Sequence, residues 1–85
     1  MDEKFNRAVG QNIKNLREKN NWTQSDLEAK LGLCKSTLTR SAIAKIEAGQ
    51  RNIYLNELKL FKDIFQVEYQ VFFEDTPEND LSALI

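Results

Sequence analysis

Between Thr39 and Gly49 the chain carries the signals for both ends of one short helix and nothing that would break it. Through Arg51 the stretch reads T-R-S-A-I-A-K-I-E-A-G-Q-R. Thr39 has a hydroxyl suited to an N-cap, and Gly49 is suited to a left-handed stop. The helix predicted between them is about nine residues, roughly 13 Å at ~1.5 Å per residue. Leu38 and Ile43 occupy the N′ and N4 positions of a hydrophobic staple, which fixes the angle at which the chain joins the helix. Helical spacing puts Ile43, Ile46 and Glu47 on one side and Ser41, Lys45 and Ala48 on the other. A helix this short does not hold in water alone, so the apolar side must be bolted onto other helices. What is left outside is a slim, polar, basic rod, thin enough for a DNA major groove about 12 Å wide.

The rest of the chain has to build that support from 85 residues. A single small domain of this length buries only about 60–65% of its unfolded surface. One cysteine, Cys34, and no histidine exclude an intrachain disulfide framework, a zinc cluster and a cysteine–histidine nucleophile. No glycine loop for phosphates and no carboxylate pair in an evident cleft is present, so neither an enzyme nor a cofactor is expected. No apolar run approaches the ~20 residues of a membrane span, and M-D-E-K-F-N-R has no signal-peptide character. The expected setting is a reducing cytoplasm. The net charge of −1 hides a segregated field. From Lys30 to Arg51 there are five bases (Lys30, Lys35, Arg40, Lys45, Arg51) against Glu47 alone, whereas from Glu68 onward there are five acids and no base. Such a division can steer one face toward phosphates while the total stays near neutral.

Around the central stretch, Phe5 to Asn20 is predicted as a first helix, with Phe5, Val9, Ile13 and Leu16 as its apolar stripe and Asn20-Asn21 as its end. Gly10 inside it costs about 1 kcal/mol relative to alanine. Arg17 shares the stripe and Glu47 lies on the apolar side of its own helix. Either the two pair with each other or both reach water along their aliphatic stems. Trp22 to Leu31 is predicted as a second helix: Thr23 is the N-cap, Asp26 completes a capping box, and Trp22 with Leu27 forms a staple. Gln24 in its first turn can reach outward beside the unsatisfied backbone N–H groups. In the connection Gly32 to Leu38, Leu33 and Leu38 are expected to tuck inward and Lys35 and Ser36 to face out. Cys34 is expected as a small buried hydrophobe, a redox sensor being the alternative. After a loop from Gln50 to Tyr54, a fourth helix spans Leu55 to Phe65 with Leu58, Phe61, Ile64 and Phe65 inside. A fifth short helix runs from about Tyr69 to Phe73. Residues 1–74 thus form the domain and residues 75–85 an acidic tail ending in Leu81, Leu84 and Ile85. This tail either frays, docks on its own domain or meets a second subunit.

Three segments together resemble a known family. They are I-K-N-L-R-E-K at Ile13 to Lys19, W-T-Q-S-D-L at Trp22 to Leu27, and R-S-A-I-A-K-I-E-A-G-Q-R-N-I at Arg40 to Ile53. Over residues 5–74 the chain is similar to the lambda-repressor-like, Cro-type (Xre) helix-turn-helix regulators of prokaryotes and phages. The resemblance implies an all-α, five-helix fold in which the second motif helix enters the major groove and the first crosses the backbone of double-stranded DNA. By the same resemblance Arg40, Ser41 and Lys45 face base edges, with Ala42 and Ala44 close enough for a thymine methyl. Gln24, Thr39, Arg51 and Asn52 match phosphate-contacting positions, and Arg17 and Glu47 match an internal salt bridge. The implied function is a sequence-specific transcriptional regulator, a dimeric repressor on an inverted repeat with half-sites ~34 Å apart. The alternative is an antitoxin-type or other protein-interaction module on the same fold, with a protein partner at the C-terminal tail. Two departures stand out. The connection from Leu31 to Arg40 is about five residues longer than a tight three- or four-residue turn. Glu28 also stands where the family usually has alanine under the recognition helix, so that either the longer turn makes room for it or Ala29 takes that place by a small rotation.

Overall fold

Four α-helices and a closing 3₁₀ turn follow one another along the chain in a computed structural model that describes residues 3–74. They are α1 (Glu3–Lys19), α2 (Gln24–Leu33), α3 (Arg40–Glu47), α4 (Leu55–Phe65) and the 3₁₀ turn Tyr69–Phe73. The all-α class holds, but the expected fifth helix is a single 3₁₀ segment. The tail over 75–85, with Leu81, Leu84 and Ile85, lies outside the described residues.

The caps determine where each helix stops. Helix α1 ends in a Schellman motif: Asn21 takes φ 60°, its N–H donates to the Glu18 carbonyl, and the Trp22 N–H donates to the Arg17 carbonyl. The start of α2 carries the full capping box, since Asp26 N–H donates to Thr23 Oγ1 at 3.0 Å and Thr23 N–H to Asp26 Oδ2 at 2.8 Å. Those bonds to Thr23 hold the Asp26 carboxyl below its ordinary pKa.

Helix α2 ends later than the sequence signals suggest. It runs through Gly32 to Leu33, and its left-handed residue is Lys35 at φ 65°, whose N–H donates to the Gly32 carbonyl while Ser36 N–H reaches Leu31. Leu33 therefore lies about 200° around the axis from buried Leu31, at ~100° per residue, and is 88% exposed rather than tucked inward. Cys34, expected to be buried, is an exposed C-cap. Leu38 is buried as expected.

One core joins all five segments. Ile13 of α1, Leu27 and Leu31 of α2, Ile43 and Ile46 of α3, Phe61 of α4 and Phe72 of the final turn have no appreciable exposure. Burial of each contributes roughly 1.5–3 kcal/mol. Trp22 stacks on Phe65 with ring centroids 5.6 Å apart, tying the start of α2 to α4. Phe5, assigned to the buried stripe of α1 by spacing, is 48% exposed and stacks on Phe73 at 5.6 Å. A polar residue on that stripe, Asn12, is buried instead. Its Nδ2 donates to the Phe72 carbonyl at 2.8 Å and to the Glu74 carbonyl at 2.6 Å, which fastens the returning chain to α1.

Candidate nucleic-acid interface

The local chemistry of α3 makes it a presented helix. Thr39 Oγ1 accepts from the Ala42 N–H at 3.1 Å, and Ile43 and Ile46 pin the inner side completely. At the other end Gly49 takes φ 74°, and the Gln50 N–H donates to the Lys45 carbonyl at 2.8 Å to complete a Schellman motif. The helix has eight residues, one fewer than its sequence signals imply, and is about 12 Å long at ~1.5 Å per residue. Arg40, Ser41, Lys45 and Ala48 are exposed on its outer side, and Ala42 and Ala44 are half-buried at its flanks. Of the five expected base-facing residues, Arg40, Ser41 and Lys45 share the exposed side, and Ala42 and Ala44 border it.

Beneath that surface Arg17 and Glu47 form a forked pair. Arg17 Nε donates to Glu47 Oε2 at 2.7 Å and Nη2 to Oε1 at 3.0 Å, both side chains being nearly sealed from water. The remaining arm, Nη1, donates to the Trp22 carbonyl at 2.8 Å. The hydrogen bond to Glu47, ahead of its Coulombic attraction, holds the guanidinium more firmly protonated despite its burial. Of the two sequence alternatives, pairing holds and snorkelling does not. The same Glu47 Oε1 accepts from Gln24 Nε2 at 3.1 Å, so the first side chain of α2 is oriented by the ion pair.

Glu28 explains how the long connection is braced. Its Oε2 accepts from the Arg40 N–H at 2.8 Å, placing a carboxylate on an otherwise unsatisfied donor at the positive end of α3. Ala29 is exposed and takes no part beneath α3. This contact spans twelve residues, so no local spacing announces it. Glu28→Ala should cost about 1 kcal/mol, as loss of a helix cap does, and Glu28→Gln, which keeps an acceptor oxygen, less than half as much. Urea denaturation of the two variants checks this, and equal stability of Glu28→Ala and the parent would remove Glu28 as a brace.

After α3, Arg51 is not an unopposed cation. Its Nη1 and Nη2 donate to Glu57 Oε1 and Oε2 at 2.9 and 3.0 Å, and Nη1 also reaches the Asn52 carbonyl. The hydrogen bonds from Arg51 hold the buried Glu57 carboxyl below the ordinary carboxylate range. Asn52 is exposed and its Oδ1 accepts from Asn6 Nδ2 at 2.7 Å, which leaves the Asn52 NH₂ as a donor.

A helix-turn-helix family model matches residues 13–72, from the middle of α1 to the final turn. The chain belongs to the lambda-repressor-like helix-turn-helix family. This family is one of DNA-binding transcription regulators. The fold is similar to the crystal structure of the hypothetical transcription factor NHTF from Neisseria, with a TM-score of 0.73 and 20% identity. That likeness covers 98% of this chain and 90% of the other. No curated protein matches the chain significantly. Among the described residues, no helix of this helix-turn-helix protein is long and apolar enough to cross a membrane.

Proposed function

We propose that the chain is a sequence-specific transcriptional regulator, a dimeric repressor acting in the cytoplasm, that reads the major groove with the outer side of α3. The observation that carries this reading is the contrast between the two sides of α3. Ile43, Ile46 and Glu47 are consumed by the core and the ion pair, while Arg40, Ser41 and Lys45 stand exposed with no hydrogen-bond or ion-pair partner for their side chains among the described residues. Arg40 is suited to a bidentate contact with guanine, and Ala42 and Ala44 to a thymine methyl. Thr39, Gln24 and Asn52 supply neutral donors to phosphates, and Arg51 holds the loop that carries Asn52 through its bond to the Asn52 carbonyl.

Selection of random duplex DNA by the purified protein at two salt concentrations tests the proposal. A palindromic enriched sequence supports it, and weak binding with no enrichment overturns it. Affinity should fall with salt at a log–log slope of about −0.9 per phosphate neutralised. Arg40→Ala should cost ~1–3 kcal/mol on the selected site and relax preference at one base pair. Binding of a full panel of single-base operator variants measures that relaxation, and unchanged discrimination at every position would take Arg40 out of the reading surface.

A further inference from the structure

We infer that Arg7, at the opposite end of α3 from Arg40, binds a backbone phosphate of the same DNA, in a polar groove between α1 and the α3–α4 loop. This rests on the DNA-binding reading and adds a site to it. Of the four arginines, Arg17 and Arg51 are spent on Glu47 and Glu57. Arg7 and Arg40 have no ion-pair partner among the described residues, and both are exposed. Arg40 is the first residue of α3. Arg7 packs against its far end, for a Cβ placed on Gly49 would stand 2.7 Å from Arg7 Cγ and 2.8 Å from Arg7 Cα. Arg40 and Arg7 therefore lie at the two ends of a helix about 12 Å long, so that Arg7 can meet a phosphate at the edge of the major groove while Arg40 meets the bases.

The groove beside Arg7 is continuous with the reading surface. Ala48, on the outer side of α3 with Ser41 and Lys45, also lines it, as do Asn6 and Asn52. The bond from Asn6 Nδ2 to Asn52 Oδ1 directs the chemistry there, because it uses the amide oxygen and leaves the Asn52 NH₂ as a donor. An anion in this groove would meet a charged fork and a neutral donor, which is the chemistry of a phosphodiester oxygen pair. Glu3 also lines the groove and opposes an anion, so it weakens the site without removing it.

The test uses the full chain and a duplex carrying the sequence it selects, with affinity measured across salt concentrations. Arg7→Gln keeps the stem that packs on Gly49 and removes the charge. It should bind roughly five-fold more weakly per bound protomer near ~0.15 M salt, with a slope shallower by ~0.9, and with the same base preferences. Arg7→Lys should keep the slope, and Glu3→Gln should tighten binding. An unchanged slope in Arg7→Gln, or an equal loss in Arg7→Gln and Arg7→Lys at unchanged melting temperature, overturns the inference. If the parent protein selects no sequence and has no salt slope, the DNA-binding reading itself fails, which is a separate outcome.

Discussion

Gly10→Ala is expected to destabilise the domain by about 3 kcal/mol, although the same change in an exposed helix would stabilise it by ~1 kcal/mol. Helix propensity favours alanine at this mid-α1 position. Packing opposes it, because a Cβ on Gly10 would run into the Ile46 carbonyl oxygen and stand 2.9 Å from the Glu47 carbonyl oxygen. Both obstacles are backbone of α3, so no rotamer can move them aside. Relief requires shifting α1 away from α3, which opens the core at Ile43 and Ile46 and drags the Arg17–Glu47 fork. Overpacking costs of ~1–3 kcal/mol, and more where nothing can yield, then exceed the propensity gain. For a domain of this size the loss corresponds to a fall in melting temperature of roughly 10–20 °C. Gly32→Ala is the internal control: it lies in α2 with nothing within 4 Å of where a Cβ would stand, and should stabilise by ~0.5–1 kcal/mol. Thermal unfolding of the two single variants decides the matter. Equal signs for the two would mean that α1 and α3 do not approach as closely as Gly10 requires.

The two glycines show where a linear reading of this chain succeeds and where it stops. Caps are local, and so Thr23 with Asp26, Thr39, Asn21 and Gly49 are legible from residue type and spacing alone. Stripes are local too, which is why Ile43, Ile46 and Glu47 fall correctly on the inner side of α3. The end of α2 is misleading because glycine resembles a stop, whereas the left-handed residue is Lys35, a side chain with no such preference. Leu33 and Cys34 move to the surface with that shift of register. Gly10 reads as a mild cost for α1. Its reason, a close backbone crossing by α3 at Ile46, is thirty-six positions away and invisible to any window.

The site divides in the same manner. The outer side of α3 follows from periodicity once the helix is known, so Ser41, Lys45 and Ala48 can be singled out from spacing, whereas Arg40 is singled out by the family resemblance. Charge counting, by contrast, treats Arg51 as a free base because Glu57 lies on the next helix and its carboxylate turns back toward the loop. Arg7 escapes notice because it lies outside the positive segment between Lys30 and Arg51, and α1 brings it to Gly49 through tertiary packing alone. Asn12 does leave a signal, a polar residue three positions after Val9 on an otherwise apolar stripe. Its carbonyl partners, however, arrive from sixty residues further on. What sequence hides here is consistently the identity of the partner and not the presence of a group that needs one.

Glu47→Ala should be as damaging as any single truncation at the surface of this core, at about 3–5 kcal/mol, because it leaves the Arg17 guanidinium buried without its counter-charge. An exposed ion pair would be worth only ~0–1 kcal/mol, so the measured value discriminates sharply between a sealed fork and a solvated one. The total stability of an 85-residue domain, on the order of 4–13 kcal/mol, makes partial unfolding at ambient temperature an expected consequence. Arg17→Ala should cost less than Glu47→Ala, since Glu47 would still accept from Gln24 Nε2. Replacing both partners, as Arg17→Met with Glu47→Leu, should recover most of the loss, because desolvation of the two charges is removed together with their attraction. DNA binding need not recover with it. The double variant deprives Gln24 of the acceptor that orients its amide at the start of α2, so affinity for the selected site should stay below that of the parent even when the fold is as stable. Urea midpoints for the two single variants and the double variant, alongside duplex affinities of the double variant, separate these effects. A cost below ~1 kcal/mol for Glu47→Ala would show the fork to be solvated, and full recovery of affinity in the double variant would remove Gln24 from the consequences of the pair.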